Sequence, residues 1–259
     1  MRKLWLLNLL AVVPALAVQG DFSWSGRLKE GQSIEIKGVN GGIRADYTSG
    51  SEVQITARKS AWRSDPNSVS VQAVPHEGGV TVCAVYPGDG GRPNECRPGE
   101  GGRMQTRDND TKVEFTVKTP KGVRLIAKTV NGSITITALQ SDVDAHTVNG
   151  KINLSTTGVA NAHTVNGGIE ASIGNANWSD RLEFTTVNGG IELTVPAGLN
   201  AEVSAATVNG GMSTDFPLTV SGRWGPKSLR GRIGSGGRQL KLSTVNGGIQ
   251  LRSSTGRAI

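Results

Sequence analysis

Aromatic residues are scarce in this chain, only 4% of 259 residues, and it has just three methionines and two cysteines. So thin a supply argues against a catalytic cleft walled by aromatic side chains. No window carries a 3.6-residue apolar period, which leaves little room for helix in the mature protein. No G-x-S-x-G, H-E-x-x-H or phosphate-cradling glycine loop occurs, and nothing in the chain calls for a cofactor. Beyond the first seventeen residues no apolar run is long enough to span a bilayer as a helix. Acidic residues are missing from position 216 onward.

What the chain has instead is glycine, 36 residues of it, which suits short strands and tight turns because glycine weakens helices and accepts positive φ. The N-terminus reads MRKLWLLNLLAVVPALA, with Arg2 and Lys3 ahead of an apolar run from Leu4 to Val13 and the small-x-small ending Ala15-Leu16-Ala17. That order predicts a secretory signal peptide over 1–17, with 18–259 exported to the periplasm or cell surface and no transmembrane segment in the mature chain. In an oxidising compartment Cys83 and Cys96 are expected to form a disulfide that staples a loop rich in glycine and proline. The C-x-x-C spacing of a redox pair is absent.

One phrase dominates the rest. It appears as GVNGGI at 38–43, TVNGSI from Thr129, TVNGKI from Thr147, TVNGGI from Thr164, Thr186 and Thr244, and TVNGGM from Thr207. From Val130 onward its valines lie 18, 17, 22, 21 and 37 residues apart. Each copy continues into period-two alternation, as in GKINLS and GGIELTVP, the mark of a strand with one buried face. On that pattern Val148, Ile152 and Leu154 should face inward, as should Val187, Ile191, Leu193 and Val195.

Two all-β folds share this grammar. Asn-Gly between apolar strands is a hairpin signal, which makes a β-sandwich the alternative. Hairpin turns, however, need not be chemically alike, whereas stacked coils set the same position of every turn above its neighbour. The repetition therefore predicts a single-chain β-solenoid of short stacked strands with Asn-Gly corners. With strands about 4.8 Å apart, Asn131, Asn149, Asn166, Asn188, Asn209 and Asn246 should form a structural ladder of side-chain amides, each bonding the next. The repeat loosens at 64–110, read as an insertion with a hairpin and the cysteine-stapled loop, and at 216–238, a basic insertion.

The stretches DFSWSGRLKEGQSIEIKGVNGGI and VEFTVKTPKGVRLIAKTVNGSI, with the recurring TVNGGI, resemble a bacterial family of exported β-strand-repeat proteins carried under an adhesin label. That family is a domain of unknown function related to the head domain of autotransporter-like adhesins. The resemblance implies a β-solenoid in the envelope or at the surface and brings no catalytic residues with it.

Candidate chemistry is thin. His146 and His163 precede the valine in successive copies, so stacking would make their imidazoles neighbours and a weak candidate pair for a metal ion, with no third ligand in view. Asp142 and Asp144, like Asp108 and Asp110, are pairs on one side of an extended segment, the residue type used for glycoside hydrolysis or calcium. Charge is uneven: Arg223, Lys227, Arg230, Arg232, Arg238, Lys241, Arg252 and Arg257 fall after position 216, which leaves twenty basic against twenty-one acidic residues before it. The segment 223–238, with Trp224 beside it, is the candidate anion-binding site, for envelope lipids or glycans. Nucleic acid is not the expected natural partner of an exported chain. The whole reads as a non-enzymatic binding or structural module of the envelope, adhesin-like, whose partner is an anionic lipid or glycan or a surface protein. The alternatives are an envelope-stress or signalling component and a polysaccharide-active enzyme.

Overall fold

The computed structural model describes residues 21–88, 93–179, 181–221 and 226–254; the signal peptide expected at 1–17 lies outside them. The N-terminal half supplies β1 (Phe22–Gly26), β2 (Ser33–Lys37), β3 (Ile43–Tyr47), β4 (Val53–Ser60), β5 (Ser70–His76), β6 (Gly79–Val85) and β7 (Lys112–Thr119). Four regular units follow as β8 (Arg124–Lys128) with β9 (Ile134–Leu139), β10 (Val143–His146) with β11 (Ile152–Thr156), β12 (Ala160–His163) with β13 (Ile169–Ile173), and β14 (Leu182–Thr185) with β15 (Ile191–Pro196). The C-terminal part adds β16 (Ala201–Asn209), β17 (Met212–Thr214), β18 (Val220–Ser221), β19 (Lys227–Ile233), β20 (Arg238–Asn246) and β21 (Ile249–Ser254). A single 3-10 turn, Pro66–Ser68, is the one non-β element among the described residues.

Each regular unit gives one strand to each of two sheets. Sheet A runs β1-β4-β7-β3-β9-β11-β13-β15-β21-β17, and sheet B runs β18-β19-β16-β20-β14-β12-β10-β8-β2-β6-β5. The inner rungs pair in parallel, which excludes the sandwich of Asn-Gly hairpins, since hairpins pair antiparallel. The core is a stack of like residues: Ile134, Ile152, Ile169, Ile191 and Ile249 in register along sheet A. Along sheet B, Ala127, Ala145, Ala162 and Phe184 face them. Because each unit buries its apolar face only against neighbours, stability is a sum of adjacent interfaces.

The corner inverts one expectation. Val148 and Val187 are not inward but 38% and 39% exposed, whereas the preceding Thr147 and Thr186 are 6% and 5% exposed. Alternation allows only one of two adjacent residues to enter the core, and threonine wins because its hydroxyl has a fixed task there. Thr147 Oγ1 donates to the Gly132 carbonyl one coil back at 2.8 Å, Thr164 to Gly150 at 3.0 Å and Thr186 to Gly167 at 2.8 Å. A valine in that place would leave a half-buried carbonyl without this donor. Ile152, Leu154, Ile191, Leu193 and Val195 are buried. Thr164→Val should accordingly cost about 1–3 kcal/mol in urea unfolding, although it conserves shape. Val165→Thr should move stability by less than about 0.5 kcal/mol, and equal losses in the two variants would refute the assignment.

The asparagine column departs from chain order. Asn131 Nδ2 donates to Asn40 Oδ1, Asn149 to Asn131, Asn166 to Asn149 and Asn188 to Asn166, at 2.8–2.9 Å. Asn246, not Asn209, then donates to Asn188, and Asn209 caps the column by donating to Asn246, each at 2.8 Å. The reason lies in β16, which pairs antiparallel with β19 on its outer edge and so belongs at the end of the stack. The later strand β20 slots between β14 and β16. At the opposite end β4 on β7, β1 on β4 and β5 on β6 close the sheets, again antiparallel. Among the described residues no helix is long and apolar enough to cross a membrane.

Candidate functional site

Two departures from the repeat pack over the outer face of sheet B, and a third lengthens that sheet at its edge. The first departure is the loop after β6, tied down by the Cys83–Cys96 disulfide. Strands β2 and β8 place Glu35, Lys37 and Lys128 under it. Lys37 Nζ donates to the carbonyls of Arg97 at 2.6 Å and Gly101 at 3.0 Å. Glu35 Oε2 accepts from Thr81 Oγ1 and from the Gly99 amide, both at 2.9 Å. Glu35 Oε1 lies 3.1 Å from Lys128 Nζ, an ion pair without hydrogen-bond geometry, and Lys128 also donates to Glu100 at 2.7 Å. Burial pushes the Lys37 ammonium below its usual pKa, helped by the charge on Lys128 and opposed by Glu35 and Glu100. Burial acts the same way on Lys128, but Glu100 and Glu35 outweigh it and hold that pKa above the ordinary value.

The next positions of the same row are His146 and His163. Their rings stack with centroids 4.9 Å apart and planes 15° from parallel, and His163 Nδ1 lies 2.6 Å from Thr185 Oγ1. Burial lowers both pKa values, and the neighbouring His163 lowers that of His146 further. Lone pairs in near-parallel ring planes do not converge on one ion, and among the described residues no group of three or more His, Cys, Asp or Glu is placed to hold a metal.

The second departure is the 174–181 connection, where the asparagine spacing widens from 17 to 22 residues and which contains Trp178. Its residues Asn175, Asn177, Trp178, Ser179 and Arg181 wall a groove of about 340 Å³ whose floor includes Arg124, Asp142, Asp144 and Asn161. Asp144, 8% exposed, accepts from the Arg124 guanidinium through Oδ2 and from Asn161 Nδ2 through Oδ1 at 3.0 Å. Asp142 Oδ1 accepts the Val159 amide at 3.0 Å. Trp178 Nε1 donates to the Gln239 carbonyl at 3.3 Å, and Arg181 Nε donates to Gln239 Oε1 at 2.8 Å, so both rim residues are braced against β20. The other acidic pair is separated in role. Asp110 accepts the amides of Trp62, Arg63 and Ser64, and bonds to Ser64 lead in pulling its pKa down to about 2, whereas Asp108 is exposed beside Arg107.

The third departure is the hairpin of β18 and β19. Stacking brings acids of neighbouring strands beside the C-terminal cations: Arg232 of the hairpin pairs with Glu202 at 2.9 Å, Lys241 of β20 with Glu183 at 2.6 Å and Arg252 of β21 with Glu192 at 2.7 Å. Lys227 Nζ donates to the Gly210 carbonyl at 2.8 Å. Arg230 is exposed on β19 and lines a second groove, of about 370 Å³, that meets the first at Arg181. Arg238 is half-buried; Arg223, Trp224 and Arg257 lie outside the described residues. Sequence reading passed over Glu35, Lys37, Lys128 and Trp178. Only Trp178 left a signal, the widened spacing of its coil.

Two stacked, mostly parallel sheets built from asparagine-cornered coils and closed by antiparallel strands define a β-solenoid-like class. The chain belongs to the Toastrack DUF4097 family, whose model matches residues 100–252. Among solved structures it is similar to a "putative cell adhesion protein" of Clostridium sporogenes, at 9% identity and a TM-score of 0.43, over 90% of this chain and 99% of that one. A "putative adhesin" of Bacteroides fragilis matches at 15% identity and a TM-score of 0.27, over 90% of this chain and 96% of that one. No curated protein matches the chain.

Proposed function

We propose that this protein is a non-catalytic, exported binding module of the cell envelope, adhesin-like in action, whose ligand side is the outer face of sheet B. One observation carries the reading: the cysteine-stapled loop and the Trp178 connection both lie over that face, and the β18–β19 hairpin lengthens the same sheet at its edge. The solenoid supplies rigidity, and the departures supply relief and unlike side chains. An adhesin name attached to similar structures agrees with a surface-binding role, and the disulfide agrees with export. Asp144 uses both oxygens to hold Arg124 and Asn161, which suits a fixed polar floor better than an acid–base pair. Arg230, exposed on the hairpin, presents positive charge to anionic lipid or glycan of the envelope.

Co-sedimentation with vesicles tests the electrostatic part. Vesicles containing an anionic phospholipid should retain the protein at low salt and release it as salt rises, since exposed charges are screened. Neutral vesicles should not retain it, and Arg230→Glu should weaken retention several-fold. Equal binding to neutral and anionic vesicles would overturn this part of the proposal.

A further inference from the structure

The groove beside Trp178 has features that the basic hairpin does not share. Its walls carry two guanidiniums, Arg124 and Arg181, and two carboxylates, Asp142 and Asp144, so the described lining residues have no net charge. A site balanced in this way gives little advantage to an ion of either sign. Amides dominate the remaining polar surface, from Asn161, Asn175 and Asn177. Carboxylate, amide and guanidinium are planar groups that make paired hydrogen bonds to vicinal donors and acceptors. Its volume of about 340 Å³ lies within the roughly 300–1,000 Å³ of small-ligand pockets. The one aromatic residue is half-buried and braced at its indole nitrogen, which presets it as a platform rather than a mobile side chain.

Taken together, these features point to a ligand that is neutral, dense in hydroxyl groups and apolar on one face. We propose that the Trp178 groove is a saccharide-binding subsite that takes a neutral sugar unit against the indole, with its hydroxyls bonded to Asp142, Asn175 and Asn177. The neighbouring groove lined by Ser204, Gln239 and Lys241 continues from it through Arg181, giving room for further units of an oligosaccharide. The subsite rests on the reading that the outer face of sheet B is the binding side, and it assigns that face a ligand class independent of charge.

Isothermal titration of the mature protein with maltotetraose, cellotetraose and chitotetraose tests it, alongside the corresponding monosaccharides. Saturable heat is expected with at least one tetrasaccharide, and weaker binding with its monosaccharide. Trp178→Ala should weaken that binding roughly tenfold or more. Asn177→Ala, at an exposed rim position that leaves the core untouched, should weaken it several-fold and decides the matter if Trp178→Ala fails to fold. No heat with any of the three tetrasaccharides, or unchanged affinity in the variants, would overturn the subsite. Vesicle retention separates the two proposals: retained vesicle binding without saccharide heat removes only the subsite, and loss of both removes the binding face as well.

Discussion

Gly189→Ala is expected to abolish the native fold or to cost more than about 4 kcal/mol, the range reserved for changes that a core cannot absorb. A Cβ at Gly189 would stand 2.1 Å from the Gly167 carbonyl oxygen and 2.4 Å from its carbon. Both are backbone atoms of the coil below, so relief requires separating two rungs that the ladder holds about 4.8 Å apart. Separation would lengthen the Asn188–Asn166 amide bond and the Thr186–Gly167 bond, now 2.8 Å each. The control is Gly211→Ala, in the same phrase, where a Cβ meets nothing within 4 Å. Urea unfolding followed by far-UV circular dichroism should show a lost or sharply lowered midpoint for the first and an unchanged one for the second. Similar midpoints would mean that close stacking is not what the asparagine-glycine corner provides.

Removing the disulfide by Cys83→Ala with Cys96→Ala should cost about 3 kcal/mol in the same experiment, as the chain-entropy model gives for a loop of this size. The bond closes a 13-residue separation, and just beyond Cys96 the chain turns through Gly99 and Gly102, both at positive φ. Untied, the segment that follows Cys96 is expected to lift from Glu35 and Lys37, the charged side chains that Arg97, Gly99 and Gly101 now bond. Hydrogen exchange should then speed up at the Gly99 amide, which donates to Glu35, and stay slow in the regular strands from β10 to β15. An unchanged urea midpoint and unchanged exchange would show that the ion pairs alone hold the loop.

Much of this architecture was legible because Asn-Gly repetition and period-two alternation are local signals, written into each unit. The solenoid follows from them, and so do the buried columns of Ile152, Ile169 and Ile191. The exchange of valine for threonine at the corner was not legible from hydrophobicity, since what seats Thr186 is a carbonyl 19 residues earlier. The site was still less legible. Asp142 and Asp144 are conspicuous in the text, yet their setting depends on Arg124, Asn161 and Trp178, contributed by other turns. The C-terminal charges looked like a free basic run, and three of them meet acids on neighbouring strands that lie far away in sequence. Contacts between coils are long-range in sequence, and composition along one segment does not report them.

The column order in which Asn246 lies between Asn188 and Asn209 also bears on timing. A nascent chain delivers β16 and β17 before β20 and β21, yet the earlier pair rests on the later one. Growth of the stack from the N-terminus, one coil upon the last, therefore halts after β15 until the final strands have been made. Those strands then enter as a wedge beneath a cap that preceded them, so completion of the stack waits on β20 and β21.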